Sequence, residues 1–196
     1  MADVTYLSQI PLFEELRGEH IIVRPYREVD AVDHYAAIDE SREHCRPWLP
    51  WPDYYHSIED SRDYIARCRA RWIVREDLSV GIFDVENGRF LGGSGLHPRN
   101  WDARIFEIGY WLRSSAEGHG YMSETVKLLT DYAFADLHAN RVYIRCDARN
   151  TRSAAVAQRL GFVREALLRN DALANDGTVR DTLVFSLTPD DPRWPS

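Results

Sequence analysis

The residues best able to do chemistry lie at the two ends of one stretch, from Ile105 to Lys127. It reads as an apolar strand, a short polar loop closing on Gly118-His119-Gly120, and an amphipathic helix. At the loop end, the first turn of a helix leaves its N–H donors without intrahelical partners. Such an end carries roughly half a positive charge and takes phosphate readily. Gly118 and Gly120 let the main chain close on such an anion. The plainer reading makes them turn glycines, but a strand before them and a long helix after them favour the anion site. Ala116, Glu117, His119 and Tyr121 would then add backbone donors, while Arg113 either adds charge or sits on the surface. At the strand end, Glu107 interrupts an apolar run and shares a face with Gly109 and Trp111 by period-two alternation. A carboxylate there is costly unless it reaches water or a partner. Read from the residues alone, it reaches water or forms half of a salt bridge at the strand edge.

Other chemistry-bearing residues read less sharply. Asn150 and Ser153 sit at a helix start, where an Asx turn and a cap serine are their ordinary roles. His97, Tyr143 and Cys146 fall on predicted strands and are read as packing or satisfied side chains, not catalysts. No H-x-x-x-H, carboxylate triplet or cysteine pair spells a metal site. Cys45, Cys68 and Cys146 are widely spaced and odd in number, which argues for free thiols in a reducing compartment. Arg46-Pro-Trp-Leu-Pro-Trp-Pro52 admits no regular element. Its Trp48 and Trp51, with Tyr54 behind, suggest a lid or pocket wall, although aromatics pack wherever they can.

The elements that must position these residues follow from pattern. His20–Pro25 is a strand stopped by proline. Asp30 is expected to cap a helix running to about Ser41. Ser57-Ile-Glu-Asp60 opens a second helix, to about Val74, with a capping box. Leu78–Val85 and Phe90–His97 alternate as strands around Asn87-Gly88, a hairpin signal. Arg104–Leu112 is the third strand of this meander. A helix follows Gly120, then a strand at Asn140–Cys146, and a short helix stopped at Gly161. The last strands are Phe162–Leu168 and Thr178–Leu187. The expected class is α/β (α+β): a single mixed, mostly antiparallel twisted sheet of about seven strands with helices on both faces. The two later β-α-β crossings imply parallel neighbours. One domain spans 1–196, with 1–18 as a lead-in and 189–196 as a tail.

Composition narrows the class. With 196 residues, 44% hydrophobic and 28% charged, the chain can bury a continuous core. A net charge of −7 argues against a nucleic-acid partner, whose footprint is basic. No apolar run approaches the roughly 20 residues of a membrane helix. Met1-Ala-Asp-Val-Thr-Tyr lacks the marks of a signal peptide, so the expected location is cytoplasmic.

Four features, in order, resemble the GNAT acyltransferase superfamily, and more narrowly the ribosomal-protein N-terminal acetyltransferases. They are Trp48-Leu-Pro-Trp51 before a Ser-x-x-Asp helix start, Glu107-Ile-Gly-Tyr-Trp-Leu112, Gly118-His-Gly-Tyr-Met-Ser-Glu124, and Asn150-x-x-Ser153 before Leu160-Gly-Phe162. The resemblance covers about His20 to Leu187. It implies acetyl-CoA (coenzyme A) as co-substrate and no metal. It implies a phosphate grip at Arg113 and Ala116–Tyr121, and a pantetheine arm beside Trp111 and Leu112, fixed in part by Asn150. By resemblance Glu107 is the general base, and Ser153 is the donor to the departing thiolate and a cofactor contact. Trp48, Trp51 and Tyr54 would wall the amine pocket. One departure stands out: the family's loop usually has Gln or Arg three residues before the first glycine, and here that residue is Ser115. The implied acceptor is a primary amine, foremost a protein N-terminus. The alternatives are a small amine, a succinyl or other acyl donor, and a non-catalytic acyl-CoA-binding protein. The resemblance also allows a homodimer.

Overall fold

The structure, a computed structural model, describes Leu7 and residues 9–192. The readings that rest on residues 1–6 and 193–196 lie outside it. The strand expected near His20 is β2 (Ile21–Pro25). Within the stretch read as a lead-in, β1 (Leu16–Arg17) pairs antiparallel with β2, because Gly18 N–H closes a turn on Ile21 C=O at 2.9 Å.

Two helices follow, α1 (Ala31–Cys45) and α2 (Ile58–Ile73). Helix α2 starts with the expected capping box. The Asp60 carboxylate accepts the Ser57 N–H, and also that of His56, each at 2.8 Å. Helix α1 departs from expectation. Asp30 stands at its start, but its carboxylate is held by the Arg24 guanidinium at 2.8 Å and by Arg27 N–H at 2.7 Å. The helix runs one turn beyond Ser41, and it buries Ala31, His34, Ala37, Ile38, Ser41 and Cys45 while Val32 is exposed. Two polar residues occupy the buried face because each finds a partner there. His34 Nδ1 lies 2.9 Å from Ser61 Oγ, and Ser41 Oγ accepts Ser114 N–H at 2.9 Å.

The meander is β3 (Leu78–Asp84), β4 (Phe90–Asn100) and β5 (Ile105–Leu112). Its first turn is not the two-residue type. Only Gly88 is left-handed there, at φ 72°, and Asp84 Oδ1 accepts from the amides of Glu86 and Asn87 at 2.8 and 3.3 Å. Then come α3 (Tyr121–Ala135), β6 (Arg141–Asp147), α4 (Thr151–Arg159), β7 (Val163–Leu173) and β8 (Val179–Leu187).

The sheet has eight strands in the order β1-β2-β3-β4-β5-β6-β8-β7. Only the first expected crossing gives parallel neighbours, β5 and β6. At the second, β8 inserts between β6 and β7 and pairs antiparallel with both. The more apolar strand takes the inner place: Leu183, Val184, Phe185 and Leu187 of β8 are buried, whereas β7 is mostly exposed. Helices α3 and α4 cover one face over the larger core. Helices α1 and α2 cover the other, around Tyr26, Ile65, Cys68, Phe83 and Phe90. Among the described residues no helix is long and apolar enough to cross a membrane.

Candidate active site

The site begins where two strands part. Strand β5 pairs with β4 along its whole length but with β6 only from Ile105 to Glu107. From Ile108 to Leu112 its other backbone edge is free of β6, and an extended ligand with amide groups can pair there as a strand would. On the α4 side of this wedge, Tyr110 Oη donates to Ser153 C=O at 3.0 Å and lies 3.1 Å from Ser153 Oγ. Burial pushes the Tyr110 phenol well above its ordinary value, against a smaller opposing effect of the Ser153 hydrogen bond. It therefore stays protonated and able to donate. Asn150 Oδ1 accepts Ser153 N–H at 3.0 Å, so the Asn150 side chain caps α4 and sets the serine's position.

The loop into α3 forms the second part. Gly118 and Gly120 both sit at φ 82°, and nothing lies within 4 Å of a side chain built on either. The glycines answer a conformational need, and the space over them is open. Glu124 N–H is the first helix amide to bond back, to Gly120 C=O at 3.1 Å, so the amides ahead of it remain for an anion. His119 stacks on Tyr121 at 5.4 Å between centroids. Ala116 is buried in the core, and the Glu117 carboxylate ties His44 of α1, at 2.6 Å, to Arg152 of α4.

Arg113 lies neither on the surface nor free at the cradle. It is 8% exposed, donates to Phe90 C=O at 3.0 Å, and is ion-paired with Glu40 of α1. Glu40 Oε1 also accepts Ser115 N–H at 2.9 Å. The Arg113 hydrogen bond, working against desolvation, holds the Glu40 carboxyl down to about 2. This pair braces the loop from beneath. At Ser115, where the resemblance expects a longer polar side chain, Arg89 of the β3–β4 hairpin donates to the hydroxyl at 2.9 Å. Sequence spacing carried no signal for that contact.

The third part is a cavity of about 490 Å³ on the α1/α2 side of the sheet. Trp51, Tyr54, Tyr55 and Trp111 line it, together with Gly109 and Tyr110 from the free half of β5 and Asp63 from α2. Trp51 meets Trp111 at 5.0 Å between ring centroids. Leu112 instead packs on the larger core. Trp48, expected in the wall, is half-buried but not among the lining residues. The chain first turns over the end of α1, with Trp48 N–H on Cys45 C=O at 2.9 Å, and Leu49 and Tyr55 reach the cavity.

Glu107 does not line the cavity either. Its side chain is 16% exposed, and Oε2 accepts from Arg99 Nε at 2.8 Å. The residue directly opposite on β4, His97, does line it. His97 Nδ1 lies 2.5 Å from Asp77 Oδ1. Desolvation raises the Asp77 carboxyl, but the hydrogen bond and charge of His97 outweigh it and leave the group below its ordinary value. Sequence reading set His97 aside as an isolated, satisfied side chain, and only the β3–β4 pairing brings it against Asp77. Cys45, Cys68 and Cys146 are buried and unpaired. Among the described residues no group of three or more His, Cys, Asp or Glu is placed to hold a metal ion.

Comparison with known proteins bears on this geometry. The family model described as an acetyltransferase (GNAT) domain matches residues 20–163. A probable N-acetyltransferase of Bacillus subtilis, YjcK, is 31% identical over 90% of this chain and 98% of its own length. The ribosomal-protein-serine acetyltransferase of Escherichia coli is 27% identical over 72% of this chain and 78% of its own. Among solved structures, the ribosomal-protein α-N-acetyltransferase RimL in complex with coenzyme A superposes with a TM-score of 0.83. It covers 91% of this chain and 99% of that one at 23% identity, a likeness of fold.

Proposed function

The chain belongs to the GNAT acetyltransferase family, and from that membership we propose that it acetylates the α-amine of a protein N-terminus from acetyl-CoA, by direct attack. The observation that carries this reading is the continuity of the three parts. The free half of β5 borders the wedge on one side and, through Gly109–Trp111, the aromatic cavity on the other, with the helix end of α3 at the loop that follows.

In this reading the pantetheine amides pair with the backbone of Ile108–Leu112, and the pyrophosphate rests on the amides of Gly118–Tyr121. Backbone N–H groups near Tyr110–Leu112 receive the charge that develops on the carbonyl oxygen. Tyr110, hydrogen-bonded to Ser153, protonates the leaving sulfur. A thiolate of ordinary pKa near 8.5 needs little help to leave, so a protonated phenol suffices. Trp51, Tyr54 and Tyr55 flank the amine, and on the cavity wall the carboxylates of Asp60 and Asp63 outnumber Arg67, which suits a cationic acceptor. An α-amine, with a pKa of about 7.7–8.0, loses its proton roughly 3–4 kcal/mol more cheaply than a lysine at about 10.4. Similarity to a ribosomal-protein-serine acetyltransferase supports the same acceptor class.

The test supplies acetyl-CoA with peptides beginning in Ser or Ala, in competition with polyamines and amino sugars, and follows free thiol. Preferred turnover of the peptides is expected. Turnover of small amines alone would move the acceptor class, and CoA binding without any turnover would defeat the reading.

A further inference from the structure

We propose that His97, oriented by Asp77, is the base that takes the proton from the acceptor amine. The inference rests on the acetyltransferase reading and concerns the amine half of the same site.

His97 and Glu107 are directly opposed on β4 and β5, so they share the α1/α2 side of the sheet. Only His97 borders the cavity. A side-chain carbon built on Gly109 would lie 3.1 Å from His97 Nε2. The ring edge therefore lies against bare β5 backbone, one residue from Tyr110, in space that any larger residue at 109 would fill. Asp77 accepts at Nδ1, which leaves the Nε2 lone pair for a proton from the cavity. Asp77 is itself fixed, accepting the Ser79 hydroxyl at 2.7 Å and lying 3.5 Å from Arg71. A base within reach of its substrate and an orienting carboxylate behind it form a recognised acid–base arrangement. Glu107 has Arg99 against one oxygen instead.

The charged groups around the ring come from every neighbouring element: Arg67 and Arg71 of α2 and Arg99 of β4, against Asp60 and Asp63 of α2, Glu76 and Asp77 before β3, and Glu107 of β5. Tyr64 and Cys68 add neutral groups.

The step balances as follows. One ammonium proton passes to His97 Nε2 and on to solvent. The freed nitrogen lone pair forms the C–N bond to the thioester carbonyl carbon, and the C–S bond breaks. Sulfur takes the Tyr110 hydroxyl proton, and the second proton lost by nitrogen restores that hydroxyl.

Steady-state acetylation of a peptide N-terminus across pH tests this, with CoA affinity measured for each variant as a check on folding. His97→Gln is expected to lower kcat/KM by about 100-fold or more and to leave its pH profile with only the acidic limb of the amine's own ionisation, with CoA affinity unchanged. Asp77→Asn should lose less and shift the wild-type limb, while Glu107→Gln stays within about threefold and keeps it. Near-normal activity in His97→Gln, or collapse of the limb to that of the free amine with Glu107→Gln instead, overturns the proposal. Nitrogen NMR of the unmodified protein gives a second measurement. A neutral ring protonated at Nδ1 is expected, and one protonated at Nε2 overturns the assignment. Wild-type protein that binds CoA yet acetylates no amine would sink the underlying reading and this proposal together. An active wild type with an unaffected His97→Gln would sink this proposal alone.

Discussion

At Gly118 and Gly120 a single torsion, φ 82°, decides which residue can stand there. A side chain meets no atom at either place, so alanine costs conformational free energy without a clash, roughly 1 kcal/mol. Gly120→Ala is expected to lower stability by about that amount and to weaken CoA binding about tenfold, because the amides of α3 lose their aim. Calorimetric titration with CoA measures this, and unchanged affinity would remove the loop from the cofactor site. These glycines were legible in the sequence because the constraint is local. Arg113 was not. Its charge suggested an anion partner, and only the fold reveals that Glu40, 73 residues away, neutralises it.

Helix α1 shows how an element can be seen in sequence while its buried face cannot. The helix buries His34 and Ser41 because α2 and the Ser114 amide supply partners. The burial has a consequence for acid stability. His34, 1% exposed, has its pKa lowered from 6.5 to about 4, chiefly by desolvation, with Asp30 opposing. Between those values the unfolded chain binds more protons than the folded one, so stability falls as pH drops through that window, by roughly 3 kcal/mol in all. Glu40 acts lower. Its carboxyl is depressed, so its contribution is present above the ordinary carboxylate range and is lost as pH falls towards about 2. Denaturant midpoints measured against pH are expected to decline in two stages. Glu40→Gln should diminish the lower stage, to which Asp77 and other depressed carboxyls also contribute, and a flat profile between pH 6.5 and 4 would contradict the buried neutral His34.

On the scale of the whole molecule, the last hairpin reaches back to the wall of the aromatic cavity. Asn175, in the turn between β7 and β8, donates to Leu49 C=O at 2.7 Å and to Arg46 C=O, holding the segment that carries Trp51 and Tyr54. Asn175→Ala is expected to raise KM for the amine about three- to tenfold, with CoA affinity intact, since a lost hydrogen bond of about 1 kcal/mol loosens one wall only. Steady-state kinetics with each substrate varied in turn would reveal it. An equal effect on both substrates would mean that the hairpin supports the whole fold and not this wall.

The sequence by itself determined what short-range chemistry controls. It set where the helices after Gly18 and the strands other than β1 begin, the capping box at Ser57, the left-handed glycines before α3, and the strand that meets β4 and β6. Each depends on residues within a few positions of one another, where periodicity, caps and backbone torsions act. Tertiary structure alone decided what depends on register and strand order. It placed β8 between β6 and β7, opened β5 from β6 after Glu107, set Glu107 against Arg99, and brought His97 onto Asp77 at the edge of the cavity. A one-residue slip in the pairing of β4 would turn His97 to the other face of the sheet, and no local pattern records that choice.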